Sequence, residues 1–428
     1  MTTQHTIAFV EPGHFHAALT LKTPNARVND DVHVYATPGP ERDAFVSLIE
    51  AFNARGENPT NWRLHLHDTS SPVEQLVADG FASFAVLAGN NANKLSTIAA
   101  LHRAAIPVLA DKPWLTQPDA RADLHQVTSG LPLAHDIMTE RYDVRARLRR
   151  AVVATPSVFG ELDASEPNTP AIEIGSKHHL YKMVNGVPLI RPAWYYNVGV
   201  QGDGLVDIQS HMTEQMQWLI GETLAQGPYF DFAKDVTALD AKRWGTPVSL
   251  ELFEKSTGMS AFPGDVKSRV TQGVLDLQCN SEIRYQLRGV PVLQRAEWGQ
   301  EEPPGSGDIH SVRIRGTRAE IVLEHGEHTG YEMQLHLKAR GDSDLQRAVR
   351  DALPQWQQSF SGLAVTESDH GVRFLIPDEL ATTHEQHFAM CLDAFMNHLE
   401  SGKAQPRTAA RIRMRYEVLA AAKEQVDG

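Results

Sequence analysis

The 428 residues are 42% hydrophobic and 22% charged, an ordinary globular composition, long enough for two or three domains whose cores need no metal or disulfide staple. Asp and Glu outnumber Lys and Arg, 53 to 40, for a formal net charge of -13; a surface that tracks phosphates has to be basic, so no nucleic-acid partner is expected. The two cysteines, Cys279 and Cys391, lie far apart with no CxxC or Cys/His cluster, so neither a disulfide framework nor a metal site is expected, and a reducing compartment fits.

In chain order, the first third alternates strand-like and helix-like segments. Residues 1–10 lack a basic stretch followed by an apolar one, and Thr6–Val10 already reads as a strand; no signal peptide is read, no apolar run spans a bilayer, and the expected location is the cytoplasm. A helix over Phe15–Arg27, a strand over Val32–Ala36 and a helix over Arg42–Ala54 follow, then a short strand at Leu64–His67 and a helix at Val73–Ala78. Strands at Ser83–Ala88, Pro107–Ala110 and Leu131–Ala134, with a helix at Leu95–Ala104, complete the set. This alternation predicts a parallel sheet covered on both faces, with ligands at the carboxyl ends of its strands.

The pattern changes near Tyr142. A helix at Arg145–Val153 leads to strands at Ala171–Gly175, Val248–Phe253, Val274–Cys279, Ile283–Arg288, Val312–Arg315 and Glu320–Leu323, interrupted by a helix at Asp207–Ile220. Glu301–Asp308 reads as a loop, and two helices, His384–Glu400 and Arg407–Glu424, end the chain. The expectation is an α/β protein: a parallel-sheet domain over residues 1–140, then an α+β domain over 141–428 built on a mostly antiparallel sheet.

Four segments carry candidate chemistry. Between the first strand and helix, Glu11-Pro-Gly-His-Phe-His16 keeps Gly13 of a three-glycine phosphate turn, with Glu11 and His16 at the other two positions; read alone it is equally an ordinary βα turn. The second strand ends Tyr35-Ala36-Thr37-Pro38, without the acid that would bind the adenosine ribose, and Arg42 is the nearest cation for a 2'-phosphate. Asp111-Lys112-Pro113 follows a short strand, where an ammonium could polarise a reacting hydroxyl or simply be a solvated loop lysine. Asp207-Ile-Gln-Ser-His211 follows Gln201-Gly-Asp-Gly204, and i and i+4 on a helix face the same way, so a carboxylate and an imidazole converge as acid–base work requires; a capping Asp beside a surface His is the plainer reading.

Order and spacing raise these signals together. A βα turn at the start, DKP about a hundred residues on and GxGxxxDxxxH-like spacing about a hundred further resemble the glucose-fructose oxidoreductase/inositol dehydrogenase family. Gly89-Asn90-Asn91-Ala-Asn-Lys94 stands where that family has TPxxxH; Arg141-Tyr142, Phe159-Gly160-Glu161 and Arg315–Glu320 match further motifs. EPGHFHA, FNARGENPTNW, ADKPW, DIMTERY and RPAWYYN resemble a divergent branch of the family, close to NAD-dependent glycosidases.

The resemblance implies that residues 1–140 are a dinucleotide-binding Rossmann-type domain and that the second domain's sheet is open-faced; it implies NAD as cofactor, with NADP less expected, and hydride transfer at a carbinol carbon of a sugar or glycoside lying between the two domains. It implies that Lys112 polarises the hydroxyl, that His211 takes its proton and that Asp207 orients the substrate or His211. Cofactor contacts are expected from Gly13, His14, Phe15, Tyr35, Thr37, Gly89, Asn90, Asn91, Lys94, Asp111 and Lys112. Lys177, His178, His179, Lys182, Arg191, Trp194 and Tyr195 are expected to face the substrate, although alternate residues of a strand could equally point away from it or support an oligomer. Three of these are cations, which suits an anionic substrate. Two other readings stand beside the dehydrogenase: a redox-neutral NAD-dependent glycoside hydrolase, for example on a sulfoquinovoside, and a non-catalytic sugar sensor. A homo-oligomer through the C-terminal sheet is also expected.

Overall fold

The computed structural model describes residues 4–428 apart from 167, 185, 224–226, 228, 342–343 and 369–370. The described chain forms two units: residues 1–139, 199–202 and 383–420, and residues 140–198, 203–382 and 421–428.

The first unit contains β1 (Ile7–Val10), α1 (His16–Leu19), β2 (Asp31–Ala36), α2 (Pro40–Ala54), β3 (Arg63–Asp68) and α3 (Pro72–Asp79), then β4 (Phe84–Leu87), α4 (Lys94–Arg103), β5 (Val108–Asp111), α5 (Arg121–Val127) and β6 (Ala134–Ile137). The strands pair in parallel in the order β3-β2-β1-β4-β5-β6. That order reverses direction between β1 and β4, which opens a crevice at the carboxyl ends of the strands where ligands bind in such sheets. β1, β4 and β5 are buried throughout, as continuous apolar runs under helices should be.

Residues 383–420 complete this unit, although the sequence groups them with the second domain. Their helices, His384–Ser401 and the first part of Pro406–Asp427, carry apolar faces that this sheet covers: Phe395 lies against Phe84 at 5.2 Å, and Tyr416 stacks on Trp114 at 5.7 Å. The buried Arg415 pairs with Asp136 of β6. The helix expected over Phe15–Arg27 runs only from His16 to Leu19; Pro24 cannot continue a helix, and Asn25 turns the chain by accepting from the Arg27 N–H (3.1 Å). The last strand lies three residues later than expected, with Ala134–Ile137 paired to Val108–Asp111.

In the second unit the elements are α6 (Val144–Val153), α7 (Pro156–Phe159), β7 (Ile172–Tyr181), β8 (Met183–Val184), β9 (Val187–Pro188), α8 (Val198–Gln201, mostly of the first unit), α9 (Gln209–Thr223), α10 (Phe232–Asp235), β10 (Val236–Ser249) and α11 (Leu250–Thr257). β11 (Val270–Thr271), β12 (Val274–Leu287), β13 (Val290–Glu301), β14 (Ile309–Arg315), β15 (Ala319–Glu324), β16 (Gln334–Ala339), α12 (Leu345–Gln357), β17 (Ala364–Ser368) and β18 (Gly371–Leu375) follow. One sheet runs β10-β12-β13-β7-β14-β15-β16-β18-β17, with β11 beside β12; β13 and β7 are parallel and the other neighbours antiparallel. An α/β protein with a parallel sheet followed by a mostly antiparallel one is what the sequence predicts.

α9 crosses one face of the larger sheet: Gln209 donates to Ser281 on β12 (2.8 Å) and Thr213 to Gln294 on β13 (3.1 Å). The other face carries charge pairs such as Arg315–Glu173 (2.6 Å) and Arg313–Glu320 (2.8 Å). Two local expectations fail here. Val248–Phe253 is the end of β10 and the start of α11, where Ser249 caps the helix by accepting from the Leu252 N–H. The two strands expected on either side of Asn280-Ser281-Glu282 are one continuous strand, because tertiary hydrogen bonds satisfy those polar side chains within the sheet.

Candidate active site

In the first unit the β1–α1 turn is pressed onto the end of β4. Gly13 and His14 N–H both donate to the Ala88 carbonyl (3.1 and 3.0 Å), so these two donors are spent within the fold. A Cβ on Gly89 would lie 2.2 Å from the Glu11 carbonyl oxygen, so this crossing admits only glycine. Asn90 turns the chain by accepting from the Ala92 N–H (2.9 Å).

Behind the turn lies a buried polar chain. Asn91 Nδ2 donates to the Gln201 carbonyl (2.9 Å), Lys94 Nζ donates to Asn91 Oδ1 and to the Asp111 carbonyl (2.9 Å), and His16 Nδ1 donates to Asp111 Oδ2 (2.8 Å). Burial works to raise the pKa of Asp111, but the hydrogen-bonded His16, with Lys94 and His14, holds it well below the usual carboxylate range. Burial, then His16, lowers the pKa of His14 well below that of a free imidazole, and Lys112 and Lys94 push the same way. Lys112 is half-buried at the carboxyl end of β5. Trp114, two residues on, is fully buried, stacked on Tyr416, and donates to the Ala110 carbonyl (3.2 Å), which fixes that strand end.

His14, His16 and Asp111 bring their ligand atoms within 4.8 Å of one another. The H-x-H spacing would have suggested this, but its third member, Asp111, stands 95 residues after His16. Two imidazoles and a carboxylate can hold a small dication. The nearby ammonium groups of Lys94 and Lys112 oppose that much added positive charge, and the His16–Asp111 hydrogen bond already accounts for the geometry.

Tyr35 is fully buried, donates to Asp79 (2.7 Å) and stacks on His67 at 4.2 Å, so it props the sheet. At the end of β2, Thr37 donates from its N–H (3.1 Å) and its hydroxyl (3.3 Å) to Glu11 Oε1. The sequence identifies no acid at this edge; the structure brings one from the turn after β1.

In the second unit, Asp207 and His211 sit at the entry to α9. The helix begins at Gln209, so Asp207 lies in the preceding turn, its N–H bonded to the Asp203 carbonyl (3.2 Å), while His211 is in the first turn. Polar contacts pin this entry. Asp203 is almost fully buried and accepts from Arg243 (2.6 Å), Lys423 (2.6 Å) and the Leu205 N–H (3.0 Å). Ser281 donates to the Gly204 carbonyl (2.5 Å), and a Cβ on Gly204 would strike Asn280 at 2.5 Å. These anchors escaped the sequence reading, because Asn280 and Ser281 look like turn residues there.

The expected substrate-facing set divides between the two faces of β7. Ser176 and His178 are on the face crossed by α9, whereas Lys177 and His179 share the other, both close to Gly299. His178 Nδ1 lies 3.1 Å from Asp308 and its Nε2 3.0 Å from Ser176 Oγ, which fits a ring that donates to the carboxylate and accepts from the hydroxyl. Lys182 pairs with the same Asp308 (2.6 Å). Burial works to raise the pKa of Asp308, but His178 and Lys182 keep it well below the usual range. Arg191 is buried, donates to the Leu180 (2.7 Å) and His179 (2.9 Å) carbonyls, and lies over Tyr195 (4.4 Å) and Trp298 (5.4 Å). Trp194 is half-buried beside them. The three cations therefore do not gather: Lys182 is neutralised by Asp308, Arg191 serves the backbone, and Lys177 faces away from His178.

Burial and then Asp143 push Glu140 up to about 7, with Glu214 and Asp308 adding and Arg149 opposing; burial and then His178 bring His310 down to about 4. Neither residue stood out in the sequence, because burial, the largest cause of both shifts, is set by tertiary packing.

Residues 148–426 match the family described as "Putative oxidoreductase C terminal domain". A structure described as a putative oxidoreductase from Parabacteroides merdae is 31% identical, with 99% of each chain covered and a TM-score of 0.91. A levoglucosan dehydrogenase in complex with NADH and levoglucosan is 14% identical over 99% of this chain and 98% of that one, with a TM-score of 0.56. GenD2 from gentamicin A biosynthesis, in complex with NAD, is 14% identical over 100% of this chain and 95% of that one, with the same TM-score; at such identity the likeness is one of fold. No curated protein matches the chain by sequence. The chain belongs to the oxidoreductase family marked by this C-terminal domain, in accord with its resemblance to the glucose-fructose oxidoreductase/inositol dehydrogenase family.

Proposed function

We propose that the protein is an NAD-dependent oxidoreductase acting at a carbinol carbon of a sugar, with Lys112, Asp207 and His211 as its reacting groups. The observation that carries this reading is the end of β5. There, in a sheet of strand order β3-β2-β1-β4-β5-β6, Asp111 is locked by His16, Lys94 ties the neighbouring loop to its carbonyl, and Lys112 follows at the carboxyl edge. The levoglucosan dehydrogenase and GenD2 likenesses, each a nicotinamide dinucleotide complex, support the choice of cofactor and substrate class.

The residues present fit a dinucleotide. The crevice at β1 and β4 has the close backbone crossing at Gly89, and a carboxylate stands at the end of β2 to accept from a ribose diol. When bound, the nicotinamide would supply the hydride acceptor. Lys112 would donate a hydrogen bond to the substrate hydroxyl and lower its pKa. His211 would accept the hydroxyl proton, and Asp207 would orient the substrate or the imidazole. Because Lys182 and Arg191 are engaged elsewhere, the substrate side offers aromatic faces more readily than free cations, which favours a neutral sugar.

The test follows reduced nicotinamide with a panel of sugars and glycosides, using wild-type protein, Lys112→Ala and His211→Ala. Each variant should keep its fold and nucleotide binding and lose roughly a hundredfold or more in turnover. Wild-type turnover in either variant overturns its assigned role. Release of aglycone without net reduction would instead identify a redox-neutral glycosidase.

A further inference from the structure

The β1–α1 turn holds a side chain that its backbone resists. Glu11 has φ +46, a left-handed conformation that a side chain disfavours, and it stands where a phosphate turn ordinarily has glycine. Such an outlier persists where the surrounding structure or a function requires it. Its carboxylate reaches across to the neighbouring strand, where Oε1 accepts from both the N–H and the hydroxyl of Thr37.

That strand end is where a Rossmann-type sheet binds the adenosine ribose through an acid, and β2 itself supplies none. A second carboxylate is close: the Glu41 stem is 3.5 Å from a Cβ built on Gly13, and its Oε2 is 3.8 Å from one built on Gly39. Arg42, the nearest cation in sequence to this edge, is held by Asp43 (2.8 Å) and by Asp68. A ribose bearing free hydroxyls would meet acceptors here, whereas a 2'-phosphate would meet like charge with its nearest arginine already engaged.

We infer that Glu11 is the ribose-binding acid of this protein and sets its preference for NAD over NADP, a role transferred from the second strand to the first turn. This rests on the proposed reading that a nicotinamide dinucleotide is bound.

The experiment is a fluorescence titration of purified wild type, Glu11→Gln and Glu11→Gly with NADH and with NADPH, alongside thermal melting. Wild type should bind NADH more tightly. Glu11→Gln should weaken NADH roughly tenfold or more, as loss of a charge-assisted hydrogen bond predicts, while NADPH binding holds or improves. Glu11→Gly should show the same narrowing of preference yet melt no lower than wild type, since glycine accepts the left-handed backbone. An unchanged NADH-to-NADPH ratio in both variants, or a wild-type preference for NADPH, overturns the inference while leaving the dinucleotide reading intact. Binding of neither nucleotide by wild type overturns both.

Discussion

Asp111 and Asp203 are both buried carboxylates, one in each unit, and their partners separate two uses of the same group. Asp203 is gripped by two permanent cations, Arg243 and Lys423, and by a backbone N–H, so it has the company of a structural rivet. Asp111 gives its Oδ2 to an imidazole and stands beside Lys112, with a second imidazole near. A carboxylate held by arginine and lysine is gripped by fixed charges, whereas one held by histidine bonds to a ring whose two nitrogens can each donate or accept. By this comparison the Asp203 cluster holds the entry of α9, and the Asp111 cluster is the one we propose to serve chemistry.

The largest stability effect should come from breaking the rivet. Asp203→Ala leaves Arg243 and Lys423 without their shared buried acceptor, and a loss of about 3–5 kcal/mol is expected in denaturant unfolding. Asp111→Asn keeps an acceptor for His16 and should cost less, roughly 1–2 kcal/mol, while lowering turnover far more than stability. If the two variants were equally destabilised, the distinction between rivet and reactive network would fail.

A smaller effect, within the second unit, is read by pH. Glu140 is pushed up to about 7 from an ordinary 4.5, so between those values the folded protein holds a proton that the unfolded chain has released. Stability should therefore fall by roughly 1–3 kcal/mol as pH rises across that window. His310, brought down to about 4, contributes in the opposite sense: its share of stability is lost as pH falls from about 6.5 toward 4. Glu140→Gln should remove the first slope and keep the second, a difference that unfolding at several pH values would measure. A Glu140→Gln profile parallel to wild type would show that the neighbours of Glu140 do not perturb it.

The elements legible in the sequence were those whose burial pattern is local. The buried strands of the first unit announce themselves as apolar runs, and Asp-Lys-Pro marks a strand end because Pro113 has no N–H to extend the ladder. What stayed hidden depends on distant partners. Asn280 and Ser281 resemble a turn until Thr246, Trp298 and Gly204 satisfy them. Residues 383–420 read as generic amphipathic helices, and only packing such as Phe395 on Phe84 assigns them to the first unit. Local spacing puts a ribose-side acid on β2, whereas the acid we infer for that role, Glu11, stands in the turn after β1. Lys177 and His178 are neighbours in sequence but face opposite sides of the sheet, so a dense run of cations there did not amount to a cluster.

One measurement reaches the central claim directly: calorimetric titration of purified protein with NAD, NADH, NADP and NADPH, each alone and with a panel of sugars, in wild type and Lys112→Ala. The account predicts that wild type binds the NAD pair, that a sugar tightens binding or is turned over, and that Lys112→Ala binds the nucleotide but does not turn over the sugar. Absence of binding by any of the four nucleotides would contradict it.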